Sequence, residues 1–107
     1  MARVEVNQDQ DNLEVDVRLT KLVTVLSGQN LKRGQVVSIS SGKVSRFATG
    51  QTPYTVLLED ADATSADVVG VRAVYDGYLS ESNVDYNTGD ADEVRDVLAQ
   101  NNVFLVK

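Results

Sequence analysis

The chain opens without apolar periodicity. Through Asn12 it is polar and rich in Gln, Asn and Asp, with Val4 and Val6 alternating like a fragment of strand. That pattern predicts a flexible N-terminal arm. From Leu13 a period of two takes over: Leu13, Val15, Val17 and Leu19 share one face, with Glu14, Asp16, Arg18 and Thr20 opposite. Lys21 interrupts the alternation, and Leu22, Val23, Val25 and Leu26 come next as a more buried continuation. Residues 14–26 therefore read as extended, with a bulge near Lys21.

Turn chemistry divides the remainder of the chain. Ser27-Gly28-Gln29-Asn30 predicts a turn, Gln35 to Ile39 a short strand, Ser41-Gly42 a tight reversal, and Lys43 to Phe47 the returning partner. Gly50 to Pro53 reads as a loop and Tyr54 to Leu58 as a central strand. Glu59 to Asp67, made of acids and small residues, reads as a loop. Val68 to Tyr75 predicts a strand with Val69, Val71, Ala73 and Tyr75 on one face. Asp76-Gly77 is a hairpin signal, since Gly accepts positive φ without cost. Tyr78 to Tyr86 continues less regularly. One helix is predicted near the end. Asp90 caps it and Glu93 completes the box; Val94, Val97 and Leu98 form its apolar stripe, while Asp92, Arg95 and Asp96 face outward. Asn101-Asn102 stops it, and Val103 to Val106 form a last strand.

The expected fold is thus α+β and mostly β: a small barrel- or sandwich-like domain with one short C-terminal helix. Residues 1–16 form the arm and 17–107 the domain. Composition agrees. Of the chain, 42% is hydrophobic but only 6% aromatic, with no Trp, so the core is aliphatic and Val-rich. Val is stiff at χ1 and fits a pleated surface.

Neither Cys nor His is present. Thiol nucleophiles, thiolate and imidazole metal sites, disulfides and the usual neutral-pH general base are therefore excluded. No apolar run reaches the ~18 residues of a membrane span, and the start has no apolar signal core, so the expectation is a soluble protein made in the cytoplasm. The net charge is −6 but uneven. Residues 1–53 carry seven basic against five acidic side chains (+2), and residues 54–107 three against eleven (−8). The acidic half argues against nucleic-acid binding. The asymmetry itself reads either as ordinary solubility or as two surfaces that pair across an interface.

Candidate chemistry is thin. An EF-hand-like calcium loop starting at Asp60 would need Gly and Glu where Ser65 and Val71 stand; one starting at Asn7 meets Asn12 and Arg18. Asp60 and Asp62 have no apolar pocket in view to raise a carboxyl pKa. Ser38 or Thr64 as nucleophile would lack a His or Cys partner. Gly28 and Gly34 do not end in the Gly-Lys-Ser/Thr of a phosphate loop. Lys32-Arg33 reads as a solvated turn. Tyr54, Tyr75, Tyr78 and Tyr86 offer apolar area with a polar tip, suited either to closing the core or to a subunit interface. The expectation is a protein that is not an enzyme and has no cofactor or metal.

Three stretches, in order, resemble the head decoration protein family of tailed bacteriophages, which includes the phage lambda decoration protein. The first runs from Gly28 through Gln29-Asn30-Leu31-Lys32-Arg33-Gly34 to Val36. The second runs from Gln51-Thr52-Pro53-Tyr54 through Leu57-Leu58-Glu59-Asp60-Ala61-Asp62-Ala63-Thr64. The third is the short helix leading into Val103-Phe104-Leu105-Val106. The resemblance spans residues 22–107 and rests on order and spacing rather than on any single motif. It implies a homotrimer on the outer surface of the virion's expanded head, with the major capsid protein as partner and capsid stabilisation as the role. It also implies an arm that orders against the capsid by strand addition. Here the arm is charged and free of Pro, unlike the lambda-type arm, so contacts do not carry over side chain by side chain. Val4, Val6, Leu13 and Val15 are the expected arm contacts. Rival readings are another virion position, in the tail or as a minor head protein, and a small-ligand-binding β-barrel.

Overall fold

A computed structural model describes residues 13–87 and 91–106. Eight strands, a short 3₁₀ turn at Glu81–Asn83 and one α-helix make up these residues. The strands are β1 (Glu14–Val25), β2 (Gln29–Leu31), β3 (Val36–Ser40), β4 (Lys43–Arg46), β5 (Thr55–Val56), β6 (Ala61–Ala63), β7 (Val68–Ser80) and β8 (Val103–Val106), with α1 (Ala91–Gln100) before the last. The order β5-β3-β4-β1-β7-β8 gives a six-stranded sheet, and β2 pairs with β6 in a small ribbon. Leu57, just past β5, bridges to Ala73 of β7, and Leu58 N–H donates to Arg72 O at 2.9 Å. These contacts bring the sheet round into a nearly closed barrel, with the α+β, mostly β character expected.

Two cores take up the buried apolar residues of the strands. The barrel interior holds Val23 and Val25, Val37, Val44, Leu57, Val71 and Ala73, and the β2–β6 ribbon adds Leu31, Ala61 and Ala63. A second cluster lies outside the wall, where Val36, Val56, Leu58 and Val74 meet Val94 and Leu98 of α1 and Val103 and Leu105 of β8. Successive strand residues point to opposite faces. Val36/Val37, Val56/Leu57 and Ala73/Val74 therefore feed different cores, and the wall is buried on both sides.

The helix and its exit match the sequence reading. Val94 and Leu98 are buried, and Asn102 adopts φ 66° to end the helix, its N–H donating to Ala99 O. The Asp90 cap lies outside the described residues. Arg95 departs from expectation: it is half-buried, held by the Glu81 carboxylate at 3.0 Å and by Asp92.

Elsewhere the structure corrects the sequence reading. Gln29–Leu31 is a strand rather than part of a turn, and the acidic loop contains its partner β6. In β6, Ala61 and Ala63 are buried and Asp62 exposed, a period of two that small side chains concealed. Tyr54 to Leu58 contributes a strand of only two residues. In β1 the expected face does not hold: Leu13 is fully buried, but Val15 and Leu19 are 57% and 52% exposed. Offsets against β7 fall between Glu14 and Asp16, Val17 and Leu19, and Leu19 and Thr20, ahead of Lys21. Each offset shifts the side-chain alternation. Leu22 is exposed as well, because it pairs with Arg72 on the barrel's outer face. In β7, Val69 and Tyr75 are exposed while Val71 and Ala73 are buried.

The largest correction concerns Asp76-Gly77, which makes no hairpin: β7 runs straight through it. Gly77 is required for a different reason. A Cβ there would sit 2.7 Å from Val17 Cα and 2.9 Å from Asp16 O, so β1 crosses β7 too closely for any side chain. Gly77→Ala is expected to destabilise the domain by about 1–3 kcal/mol through overpacking. Urea denaturation of the two proteins at neutral pH measures this, and an unchanged midpoint would refute the close-crossing account.

Candidate interaction surface

The residues singled out for chemistry are held in structural contacts. Asp60 Oδ1 accepts Arg33 N–H at 2.8 Å, and Asp62 Oδ1 accepts both the N–H and the hydroxyl of Thr64. Asp67 accepts Ser27 N–H at 2.8 Å and the Lys43 ammonium at 2.6 Å. These contacts hold the Asp62 and Asp67 carboxyls below the usual carboxylate range: Thr64 acts first on Asp62, Lys43 first on Asp67. Ser38 is buried, and its hydroxyl donates to Gln51 Oε1. Among the described residues, no three His, Cys, Asp or Glu side chains are grouped to hold a metal ion.

Arg33 is a strut rather than part of a solvated turn. Its Nη1 lies 3.0 Å from Glu14 Oε2 and donates to Leu58 O at 2.8 Å. The uneven charge of the two halves is partly satisfied within the chain. Lys43 and Arg46 from the basic half meet Asp67 and Asp85 from the acidic half.

The four tyrosines occupy three places. Tyr54 and Tyr75 flank Lys21, whose Nζ lies 3.8 Å from the Tyr54 ring centroid and 5.7 Å from that of Tyr75. Tyr78 stacks on Phe104 with centroids 5.0 Å apart, and the Arg18 guanidinium lies 5.8 Å from the Tyr78 centroid. Tyr86 packs against the outer core and its hydroxyl is buried without a hydrogen-bond partner. Tyr86 therefore serves packing, whereas Tyr75, 53% exposed, is open to a partner.

Of the expected arm contacts, Val4 and Val6 lie outside the described residues. Leu13 is part of the outer core and is closed to a partner, whereas Val15 is exposed. Residues 13–16, assigned to the arm from sequence, belong to the folded domain: Ser80 N–H donates to Leu13 O, and Glu14 begins β1. Sequence reading missed the exposed Leu19, Leu22 and Val69, since simple alternation or apolar continuity turns all three inward. A shallow cleft of about 260 Å³ lies between the Phe47–Pro53 loop and α1. Its one ionisable lining residue, Glu93, is already engaged. In comparison with known proteins, no family model matches the chain and no curated protein matches it significantly.

Burial, with the Glu81 carboxylate second, pushes the Tyr86 phenol up to about 12. The unfolded chain ionises near pH 10, so this group's contribution to stability is complete below about pH 10 and is lost as pH rises towards 12. Tyr86→Phe is expected to lessen the alkaline loss of stability. At pH 7 it is expected to be neutral or slightly stabilising, because it removes an unsatisfied buried hydroxyl. Chemical denaturation across pH 7–11 checks both; equal alkaline loss in the two proteins would contradict the assignment.

Proposed function

We propose that the protein is a non-enzymatic decoration protein that binds the outer surface of an expanded phage head as a homotrimer and stabilises it. The observation that carries this reading is the way the family-like stretches meet in space. The first and second interlock: β2 pairs with β6, Gly34 N–H donates to Leu57 O at 2.9 Å, and Arg33 bonds both Asp60 and Leu58 O. The third joins them, since Asn101 Nδ2 donates to Tyr54 O at 3.2 Å.

The physics suits a cement. A single contact of micromolar to millimolar affinity is worth about 4–8 kcal/mol. Three such contacts on one trimer act together, and avidity exceeds a single contact by about 10²–10⁴. A ligand that binds only the expanded shell stabilises that shell by mass action. Because residues 13–16 belong to the fold, the arm in this reading ends at Asn12.

Co-sedimentation with empty heads of the protein's own phage, before and after expansion, tests the proposal. Saturable binding to expanded heads alone is expected, and deletion of residues 2–12 should weaken it by about tenfold or more if the arm supplies one contact per subunit. Binding to neither form would overturn the decoration reading.

A further inference from the structure

Val23, Val71 and Ala73 line the barrel interior, and Lys21 and Tyr75 continue that face two residues further along β1 and β7. Tyr54 packs against the same core. The Lys21 ammonium is flanked by the two rings, 3.8 Å from the Tyr54 centroid and 5.7 Å from that of Tyr75. Tyr54 is fixed through its backbone: its N–H donates to Val37 O at 2.8 Å, and its carbonyl accepts Asn101 Nδ2 at 3.2 Å. A bulge sets Tyr75. It is the extra residue of β7 between the pairs Thr20↔Val74 and Leu19↔Asp76, and it is 53% exposed. Bulges of this kind re-aim a side chain and are frequent beside functional surfaces.

Its lack of an acid separates this cation from the others. Arg18, Arg33, Lys43, Arg46, Arg72 and Arg95 each pair with a carboxylate of the chain. Lys32 makes no ion pair among the described residues, but it stands exposed after β2. Lys21 is half-buried, and among the described residues no carboxylate or other oxygen accepts from its ammonium. Ring faces attract a cation without offering it an oxygen acceptor. The three donors of Lys21 are therefore held in place at the rim with their hydrogen-bonding capacity unfilled.

We propose that this rim seats the folded domain on the phage head, with one carboxylate of the head protein accepted by Lys21 between Tyr54 and Tyr75. This contact presupposes the decoration reading and adds a surface of the domain itself to the arm. Charge selects the partner. A single ammonium suits a single carboxylate, whereas a long polyanion would meet a chain of net charge −6. Tyrosine rings around the ion pair shield it from water, and a side chain already fixed loses little freedom on binding. On the same face, turned away from outer-core Leu79, Tyr78 carries the Arg18 guanidinium, whose charge Asp16 already answers. Lys21 is thus the cation that this face leaves for a partner.

Co-sedimentation of full-chain variants with expanded heads of the protein's own phage tests the contact. Circular dichroism and thermal unfolding establish that each variant is folded. Lys21→Gln and Tyr75→Ala are expected to weaken binding by about tenfold or more, and Lys21→Glu, which sets like charges together, further still. Tyr75→Phe keeps the ring, and Lys32→Gln removes the same charge elsewhere; both are expected to bind as the wild type does. Undiminished binding by Lys21→Gln or Tyr75→Ala, an equal loss in Lys32→Gln, or a Lys21→Glu chain no weaker than Lys21→Gln would overturn the contact and leave the decoration reading standing. A wild type that binds neither form of head would overturn both. Sedimentation equilibrium of the free proteins tests the other occupant. A Lys21→Gln chain that associates less than the wild type would assign the carboxylate to a second copy and overturn the head contact.

Discussion

Val36 and Val37, Val56 and Leu57, and Ala73 and Val74 are neighbours in sequence whose side chains enter different cores. This two-sided burial is the constraint on which the rest of the architecture depends. The inner faces need a closed ring of strands, which Leu57 completes by reaching Ala73. The outer faces need a second layer, and the C-terminal segment supplies it: Val94 and Leu98 from α1, Val103 and Leu105 from β8. With no Trp and few aromatic rings, the chain fills both cores mainly with Val, Leu and Ala.

Closing such a ring brings backbones close together, and two glycines mark where. At Gly77 the bulged β1 crosses β7 with no room for a Cβ. At Gly34, φ is +94° and a Cβ would meet Asn83 O at 2.8 Å, so the segment entering β3 lies directly on the 3₁₀ turn. Between them, Arg33 joins the start of β1, the Leu58 carbonyl and the loop at Asp60. The second ribbon, β2–β6, is fixed to the barrel through these same residues. The Gly28–Val36 and Gln51–Thr64 segments therefore share one connected region of the fold.

What closure leaves open is equally defined. Barrels remove edges, but the first half of β1 extends past the ring beside β7 and β8 and keeps one side unpaired among the described residues. Val15, Asp16, Arg18 and Leu19 all stand exposed there. Elsewhere the outer surface is occupied by ion pairs linking the two halves of the chain, with Lys43–Asp67 and Arg46–Asp85 the clearest. The open edge and the Lys21–Tyr54–Tyr75 rim are therefore the surfaces with most to offer a partner.

The sequence by itself determined the elements whose signals are local. The Ser41-Gly42 reversal, the apolar stripe of α1, its end at Asn101-Asn102 and the final strand all derive from turn chemistry and 3.6-residue periodicity, which need no distant partner. Also legible were the aliphatic, mostly β character and the absence of thiol and imidazole chemistry. Only the tertiary structure decided the rest. Ala61 and Ala63 form a strand because β2 is there to pair with them. Gly77 runs straight because β1 crosses it, and Val15 and Leu19 stand exposed because bulges against β7 shift an alternation that looked regular. Leu13 sits in the core rather than on an arm, since Ser80 ties its carbonyl to the end of β7. The face a β side chain takes depends on register with a strand some sixty residues away, and local pattern carries no record of that pairing.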